Sequence, residues 1–541
     1  MAQPRPVRRG LPLMETLASD HIVRKWWEGR LPASKEVIWP NKPTEKNLLE
    51  LRASMARSVE HRDLLVKSVS AQYRRAGMSV PERVAALGRD DTRTVTTGHQ
   101  LCLATGPAFT YYKVLSAVVL AKQIEARWGT PVVPVFWLAS EDHDFEEIQS
   151  LWDGHGWQDW SPSQTGGAVG RMSTEGLESM LSAWSEKVGL EEERKNAVLG
   201  ACSGTLANAM RGWMHGAFGQ EQIVVVDGDD AALKSAFAES MLSELSEQIV
   251  SQEVSKVNAV LHAAGHSPQV HVRPVNLFYL TAGSRARIER KDSKWLAGDR
   301  MWSNTESVLE ELKGQPERFS PNALLRPVYQ SFILPDVAVV GGLAEVAYWL
   351  QLSSVFPALG VVQPALVPRD GVRILPRKLS ALAREFGMDE AQFGERLEVW
   401  EARHVAESDP PDTRDWRSAV SRASAETSAV FEDLDPSLLS SVASTEAKMT
   451  KLLDKLDEQA RRAIRRKSQV SLDRLARLHA GLFPDGRAQE RVVNWHVLAT
   501  QWAAGSPENG ALEAVLDAHF QQGHDVSNWS PLLHTLVTDS D

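Results

Sequence analysis

The stretch Arg93-Thr94-Val95-Thr96-Thr97-Gly98-His99-Gln100-Leu101-Cys102-Leu103-Ala104-Thr105-Gly106-Pro107 runs through a helical pattern ending at Trp128 into Pro131-Val132-Val133-Pro134-Val135-Phe136-Trp137-Leu138. It reads as strand, glycine loop, helix, strand. Arg93–Thr97 and Val132–Leu138 are short, rich in β-branched residues and bounded by Gly or Pro, as strands covered on both faces should be. Pro107 stands where the first turn of a helix tolerates proline. Three more runs of this kind, Gln222–Asp227, Val337–Gly341 and Gln363–Pro368, follow downstream, and Val270–Leu280 adds one or two strands. Alternation of such strands with helices predicts an α/β domain built on a mostly parallel sheet.

The rest of the chain sets the frame for that unit. The 541 residues, 43% apolar and 24% charged, have the balance of a soluble globular protein, with length for roughly two to four domains. A net charge of -10 argues against a generic nucleic-acid partner. Two cysteines, Cys102 and Cys202, give no disulfide framework and suit a reducing compartment. The basic N-terminus lacks the apolar run of a signal peptide, and no uncharged stretch approaches the ~20 residues needed to cross a bilayer. A cytoplasmic protein with no membrane partner is expected.

Two regions are predicted: an α/β core over 1–376, with helical insertions at about 151–220 and 285–318, and an α-helical region over 377–541. Asp409-Pro410-Pro411 marks a hinge or helix stop within the second. A long charged helix there carries Met449, Leu456, Ala463 and Val470 at seven-residue spacing, with Leu452 between, which predicts a coiled coil at about 437–480. A long helix packed on its own domain accounts for the same heptads. Gly481-Leu482-Phe483-Pro484 ends it.

The chemistry is expected at the sheet's carboxyl edge, where open α/β folds bind ligands. Gly98 and Gly106 let backbone approach a ligand, and the helix starting after Pro107 offers free amides to an anion. The loop is neither a Walker A sequence nor Gly-x-Gly-x-x-Gly, so a nucleotide seat and a tight strand–helix turn both fit it. The second strand runs into Glu141-Asp142-His143-Asp144. Three carboxylates around a histidine can tune a base or hold a divalent ion; an acidic cap on the next helix has the same composition. Arg326, in Ser320-Pro321-Asn322-Ala323-Leu324-Leu325-Arg326-Pro327, and Arg369, in Val367-Pro368-Arg369-Asp370, suit bidentate binding of carboxylate or phosphate, or a structural ion pair.

Taken in order, these phrases resemble the bacillithiol biosynthesis cysteine-adding enzymes, the cysteine ligases. The likeness rests on Thr97-Gly98-x-Gln100, Thr105-Gly106-Pro107, Pro131–Trp137 leading into Glu141-Asp142-His143-Asp144, Ser320-Pro321-Asn322 with Arg326-Pro327, Glu345 with Ala347-Tyr348-Trp349, Pro368-Arg369, and Leu482-Phe483-Pro484 with Gln489-Glu490-Arg491. It spans nearly the whole chain. His99 replaces the family's usual glutamine, and Gly342-Leu343-Ala344 replaces a Gly-Pro-Gly turn. The resemblance implies a Rossmann-like core, a coiled coil used for homodimerisation, and ligation of cysteine to glucosaminyl malate in the last step of bacillithiol synthesis.

On that reading ATP activates the cysteine carboxylate. His143, framed by Glu141, Asp142 and Asp144, accepts the amine proton, and Mg²⁺ on Asp142 or Asp144 accompanies ATP. Substrate or nucleotide contacts are expected from Thr97, Gly98, His99, Gln100, Thr105, Gly106, Asn322, Arg326, Glu345, Tyr348 and Arg369. Two rivals stand beside it: a nucleotidylyl-transferase or aminoacyl-adenylate-forming enzyme on the same kind of core, and a non-catalytic dimeric scaffold.

Overall fold

The computed structural model describes residues 10–32, 37–55, 57–163, 165–407, 414–506, 511–523 and 529–538. The hinge expected at Asp409-Pro410-Pro411 lies outside them. The chain divides into two compact units, Met1–Pro376 with Arg487–Asp541, and Arg377–Gly486.

The first unit is built on one parallel sheet of β1 (Arg93–His99), β2 (Val132–Leu138), β3 (Val224–Asp227), β4 (Asp336–Gly341) and β5 (Ala365–Pro368). Their order across the sheet is β3-β2-β1-β4-β5, the succession of a Rossmann-like fold, with the reversal of direction between β1 and β4. The Val-rich runs follow from burial on both faces. Val133, Val135 and Trp137 of β2 enter one apolar core while Phe136 and Leu138 enter another, and each such side chain contributes about 1.5–3 kcal/mol by leaving water. Pairing of β1 with β2 runs from Arg93 opposite Val132 to His99 opposite Leu138. The Gly98 loop and the Glu141 segment therefore leave the sheet side by side.

Helix α1 (Ala108–Trp128) crosses from β1 to β2 and stops at Gly129, which takes φ 64°. It is apolar nearly all round because the sheet covers one side and helices Trp495–Gly505 and Leu512–Gly523 pack on it as well. Tyr111 stacks on Trp495 with ring centroids 3.6 Å apart.

Three expectations need correction. The insertion at 285–318 is not helical throughout: strands Arg285–Arg287, Glu289–Lys291, Lys294–Ala297 and Arg300–Trp302 precede helix Thr305–Gly314. Two-residue turns build it, with Asp292 and Gly298 at positive φ. The insertion at 151–220 does carry helices Leu177–Lys187, Glu192–Gly200 and Leu206–Phe218, but a small hairpin, Ser150–Trp152 with Trp157–Asp159, comes first. The helical region does not reach the C-terminus either. Strand Leu532–Val537 pairs parallel to Gly371–Leu375 within the first unit, held there by Asp370 Oδ1, which accepts from Leu532 N at 2.7 Å.

The second unit is helical. Long helices Arg414–Leu434 and Leu439–Lys467 pack together, joined by a turn capped by Asp435. Arg417 bridges Asp454 and Asp457 between them. The expected coiled-coil helix breaks at Ser468, and a second helix, Gln469–Leu482, continues. Met449, Leu452, Leu456 and Val470 are all exposed.

Candidate active site

A cavity of about 330 Å³ opens beyond the carboxyl end of β2. Its lining brings the carboxylates of Glu141 and Asp142 together with Arg273, Arg285, Arg287 and Arg326 and with apolar side chains that include Trp137 and Phe278. The carboxylates stand there because β2 ends: Ala139 N still donates to His99 O at 3.1 Å, and the chain then turns. Residues 169–170 stitch that turn down, with Val169 N donating to Asp142 O (2.7 Å) and Gly170 N to Ser140 O (2.8 Å). Only glycine fits at 170, since a Cβ there would overlap the Cβ of Ser140.

The four residues of the tetrad have different fates. Glu141 is buried and meets Lys234 Nζ at 2.6 Å. Lys234, 1% exposed, also donates to Asp229 Oδ1 at 2.8 Å and to Glu317 O at 3.1 Å. Burial pushes the Glu141 carboxyl up, opposed by Lys234. Burial would lower Lys234, but Glu141 and Asp229 hold it charged. Asp142 Oδ2 accepts from Gln100 Nε2 at 3.1 Å, Oδ1 accepts from His143 N at 2.8 Å, and Arg285 Nη1 stands 3.7 Å away. Burial raises its pKa, but Arg285, Gln100 and the backbone amides outweigh that and keep it below the usual carboxylate range.

His143 is half exposed. Its Nδ1 lies 3.4 Å from Asp142 Oδ1 and 3.4 Å from Arg285 Nη1. With Nδ1 protonated it faces Asp142 and leaves Nε2 free as a base; with Nδ1 bare it accepts from Arg285. Asp144 is exposed, and neither it nor His143 lines the cavity.

The remaining candidates cluster at the neighbouring β1–β4 edge. Thr97 Oγ1 donates to Val340 O at 2.8 Å. Lys113 Nζ reaches both Gly98 O and Glu345 Oε2 at 2.6 Å. A Cβ at Gly98 would stand 3.0 Å from Trp137 O. His99 packs edge-on against Phe109, and burial, with Lys113, Arg369 and Arg491 nearby, drives its pKa down to about 3. The substitution at this position therefore adds a neutral ring to the loop.

Arg326 and Arg369 do not form one clamp. Arg326 lines the cavity and donates to Tyr348 OH (3.0 Å) and Gln330 Oε1 (3.2 Å). Arg369 forks onto Glu490 at 2.5 and 2.9 Å, the structural ion pair that its chemistry also allowed. Asn322 lines the cavity with part of its surface, while its Oδ1 accepts from Leu324 N and Leu325 N ahead of the helix Arg326–Ile333.

The helix start at Pro107 is not an open anion seat. Ala108 N donates to Val493 O at 2.9 Å, and Asn494 Nδ2 clamps Ala104 O and Gly106 O, each at 2.9 Å. Thr105 and Gly106 lie beneath that segment. Of the two carboxylates considered for Mg²⁺, Asp142 already accepts from protein donors at both oxygens and Asp144 is exposed.

Arg285, Arg287 and Lys234 were not singled out from the sequence. The first two carried a readable signal, since residues two apart on a strand share a face. Lys234 carried little, because although Asp229 is five residues before it, Glu141 comes from a distant segment.

Two family models match the chain: the bacillithiol biosynthesis BshC N-terminal Rossmann-like domain over residues 20–370, and the BshC C-terminal coiled-coil domain over residues 372–503. The chain belongs to the BshC family. A relative from Cytophaga hutchinsonii is 34% identical over 441 residues, covering 80% of this chain and 83% of its own. One from Flavobacterium johnsoniae is 31% identical, covering 85% and 89%. One from Bacillus cereus is 27% identical, covering 77% and 82%. Each carries the name "Putative cysteine ligase BshC". No helix of the described residues of this BshC chain is long and apolar enough to cross a membrane.

Proposed function

We propose that this protein joins the carboxylate of cysteine to the amine of glucosaminyl malate, forming the amide that completes bacillithiol. The names of its relatives support a cysteine ligase. The observation that carries the reading is the polarity of the cavity. Arginines in the lining, Arg287 and Arg326 among them, suit the two carboxylates of a malyl group, and Asp142 beside them can accept a further hydrogen bond from an amine or a sugar hydroxyl, while Glu141 is held by Lys234. Its volume of about 330 Å³ is within the range of small-molecule sites.

In this reading Asp142 orients His143 through Nδ1, and His143, which stands beside the cavity against Asp142, Arg285 and Phe278, takes the proton at Nε2 as the amine attacks. ATP is the activating co-substrate, because a free carboxylate does not form an amide unaided in water: the cysteine carboxylate becomes an acyl phosphate with loss of ADP, or an adenylate with loss of pyrophosphate, and phosphate or AMP leaves as the amine attacks. The crevice where the strand order reverses, between β1 and β4, is its expected place. The reaction is cytoplasmic. The exposed row Met449, Leu452 and Leu456 supports a homodimer through the coiled-coil unit.

The test is His143→Ala, assayed by mass spectrometry for the cysteinyl amide with ATP, cysteine and glucosaminyl malate. Removing a general base costs about 10²–10⁴ in turnover, with thermal unfolding unchanged for a half-exposed side chain. Wild-type turnover in the folded variant would remove His143 from the chemistry.

A further inference from the structure

The four arginines of the cavity are not equivalent. Arg285 is engaged by protein groups: Nη2 donates to Pro321 O at 3.0 Å, Nε to Ser320 Oγ at 3.2 Å, and Nη1 faces Asp142 and His143. Arg326 is held by Tyr348 and Gln330. Arg273 lies on an exposed segment. Arg287 differs from all three. It is half-buried and stands directly opposite Phe278 in the antiparallel pairing of Leu277–Leu280 with Arg285–Arg287. Its guanidinium lies 4.9 Å from the centroid of the Phe278 ring, and Arg285 lies 4.0 Å from the same ring. Among the described residues its side chain has no carboxylate or hydrogen-bond acceptor as partner, yet it lines the cavity.

A guanidinium stacked on an aromatic face keeps its in-plane N–H donors free and held in a fixed direction. Arg285 on the same ring adds a second positive charge nearby, and because Arg287 itself holds no ion pair, an anion reaching it displaces none. A carboxylate can take the bidentate fork of the Arg287 guanidinium.

We propose that Arg287 is the specificity-determining residue of this site, selecting an amino-sugar acceptor by a carboxylate on its aglycone arm. The proposal rests on the ligase reading above and names the group within it that decides acceptance. Arg287 would hold the acceptor's carboxylate and not its reacting amine, so its contribution is read in KM.

The experiment compares two acceptors, glucosaminyl malate and methyl glucosaminide, which lacks the arm, with the full-length enzyme, Arg287→Gln and Arg287→Lys. The expected result is a wild-type preference in kcat/KM for the malyl acceptor that falls about 10- to 100-fold in Arg287→Gln, through KM, the size of one lost charge-assisted pair. Arg287→Lys, which retains the charge without the fork, should recover part of it. An equal loss toward both acceptors, or an unchanged preference in the folded glutamine variant, overturns the assignment. Calorimetric titration of glucosaminyl malate separates this from failure of the ligase reading. Binding that weakens in Arg287→Gln supports the subsite even where no amide forms with cysteine. Equal affinity for both proteins, or no affinity in either, refutes it.

Discussion

Replacing Lys234 with methionine removes a buried ammonium and leaves its partners in place. Nζ lies 2.6 Å from Glu141 and 2.8 Å from Asp229 in a site 1% exposed. At an effective dielectric near 20, each contact represents about 6 kcal/mol of raw attraction, most of it offset by the cost of burying the charges. Breaking a buried pair on one side leaves a net loss of about 3–5 kcal/mol. In the wild type burial opposes ionisation of Asp229, but Lys234 and Arg171 outweigh it and hold its pKa at about 2; in the variant Asp229 loses Lys234 yet retains the two-pronged contact from Arg171 at 2.5 and 2.7 Å. The loss therefore falls chiefly on Glu141, which places the expected value near the lower end, about 3 kcal/mol. For a unit of roughly 430 residues, unfolding entropy scales to about 0.9 kcal/mol per kelvin, so Tm should drop by about 3–4 °C. The assay is thermal unfolding followed by circular dichroism, run also in a Glu141→Gln background. With the carboxylate neutralised first, the same substitution should cost less than half as much. A fall of under about 1 °C, or an equal fall in both backgrounds, would refute the reasoning.

Two further outcomes follow from the packing. Gly170→Ala drives a methyl into Ser140, with Ser140 O only 2.9 Å from the new carbon. It should cost about 1–3 kcal/mol and, by displacing Glu141 and Asp142, lower kcat/KM more than Tm alone accounts for. Asp336 is buried at the start of β4, where burial raises its pKa to about 6 against donors from Thr94, Thr96, Gln330 and Ser331. A folded-state value above the unfolded one means the native state binds the extra proton. The contribution of this group is thus most favourable below about pH 4, declines as pH rises, and is lost above about pH 6. Subtracting the Tm–pH curve of Asp336→Asn from that of the wild type should leave a difference that falls across that window. A flat difference would show that Asp336 ionises as freely in the folded state as in the unfolded chain.

How much of this could be read from the chain depends on the range of the interactions. The sheet was legible because each strand is buried on both faces and so writes its own apolar run, as Val132–Leu138 does, and because the loops that punctuate β1 and β2 are local. The strand Leu532–Val537 was missed because His534 and Thr535 interrupt its apolar run, although Asp370 and the neighbouring strand specify it in three dimensions. The strands that follow Arg285 were hidden by charge: their large buried side chains, Trp295 and Trp302, sit among arginines and lysines that face solvent.

The site divides in the same way. Glu141 and Asp142 were visible because a β-strand delivers its following residues to the sheet edge whatever the rest of the fold does. Arg287 and Lys234 are set by pairing and packing from elsewhere. The covering of the helix start at Pro107 depends on Asn494, 390 residues from the Ala104 carbonyl it binds. This contact also separates two roles that sequence alone had merged. A glycine loop before a helix offers free amides only while nothing else takes them, and here Val493 takes the amide of Ala108 while Asn494 takes the loop's carbonyls. The loop is fixed by the chain's own C-terminal segment, so its glycines serve close packing, Gly106 against Cys102 and Gly98 against Trp137. Recognition of anions passes to side chains, and the free, ring-stacked guanidinium of Arg287 is the group best placed to provide it.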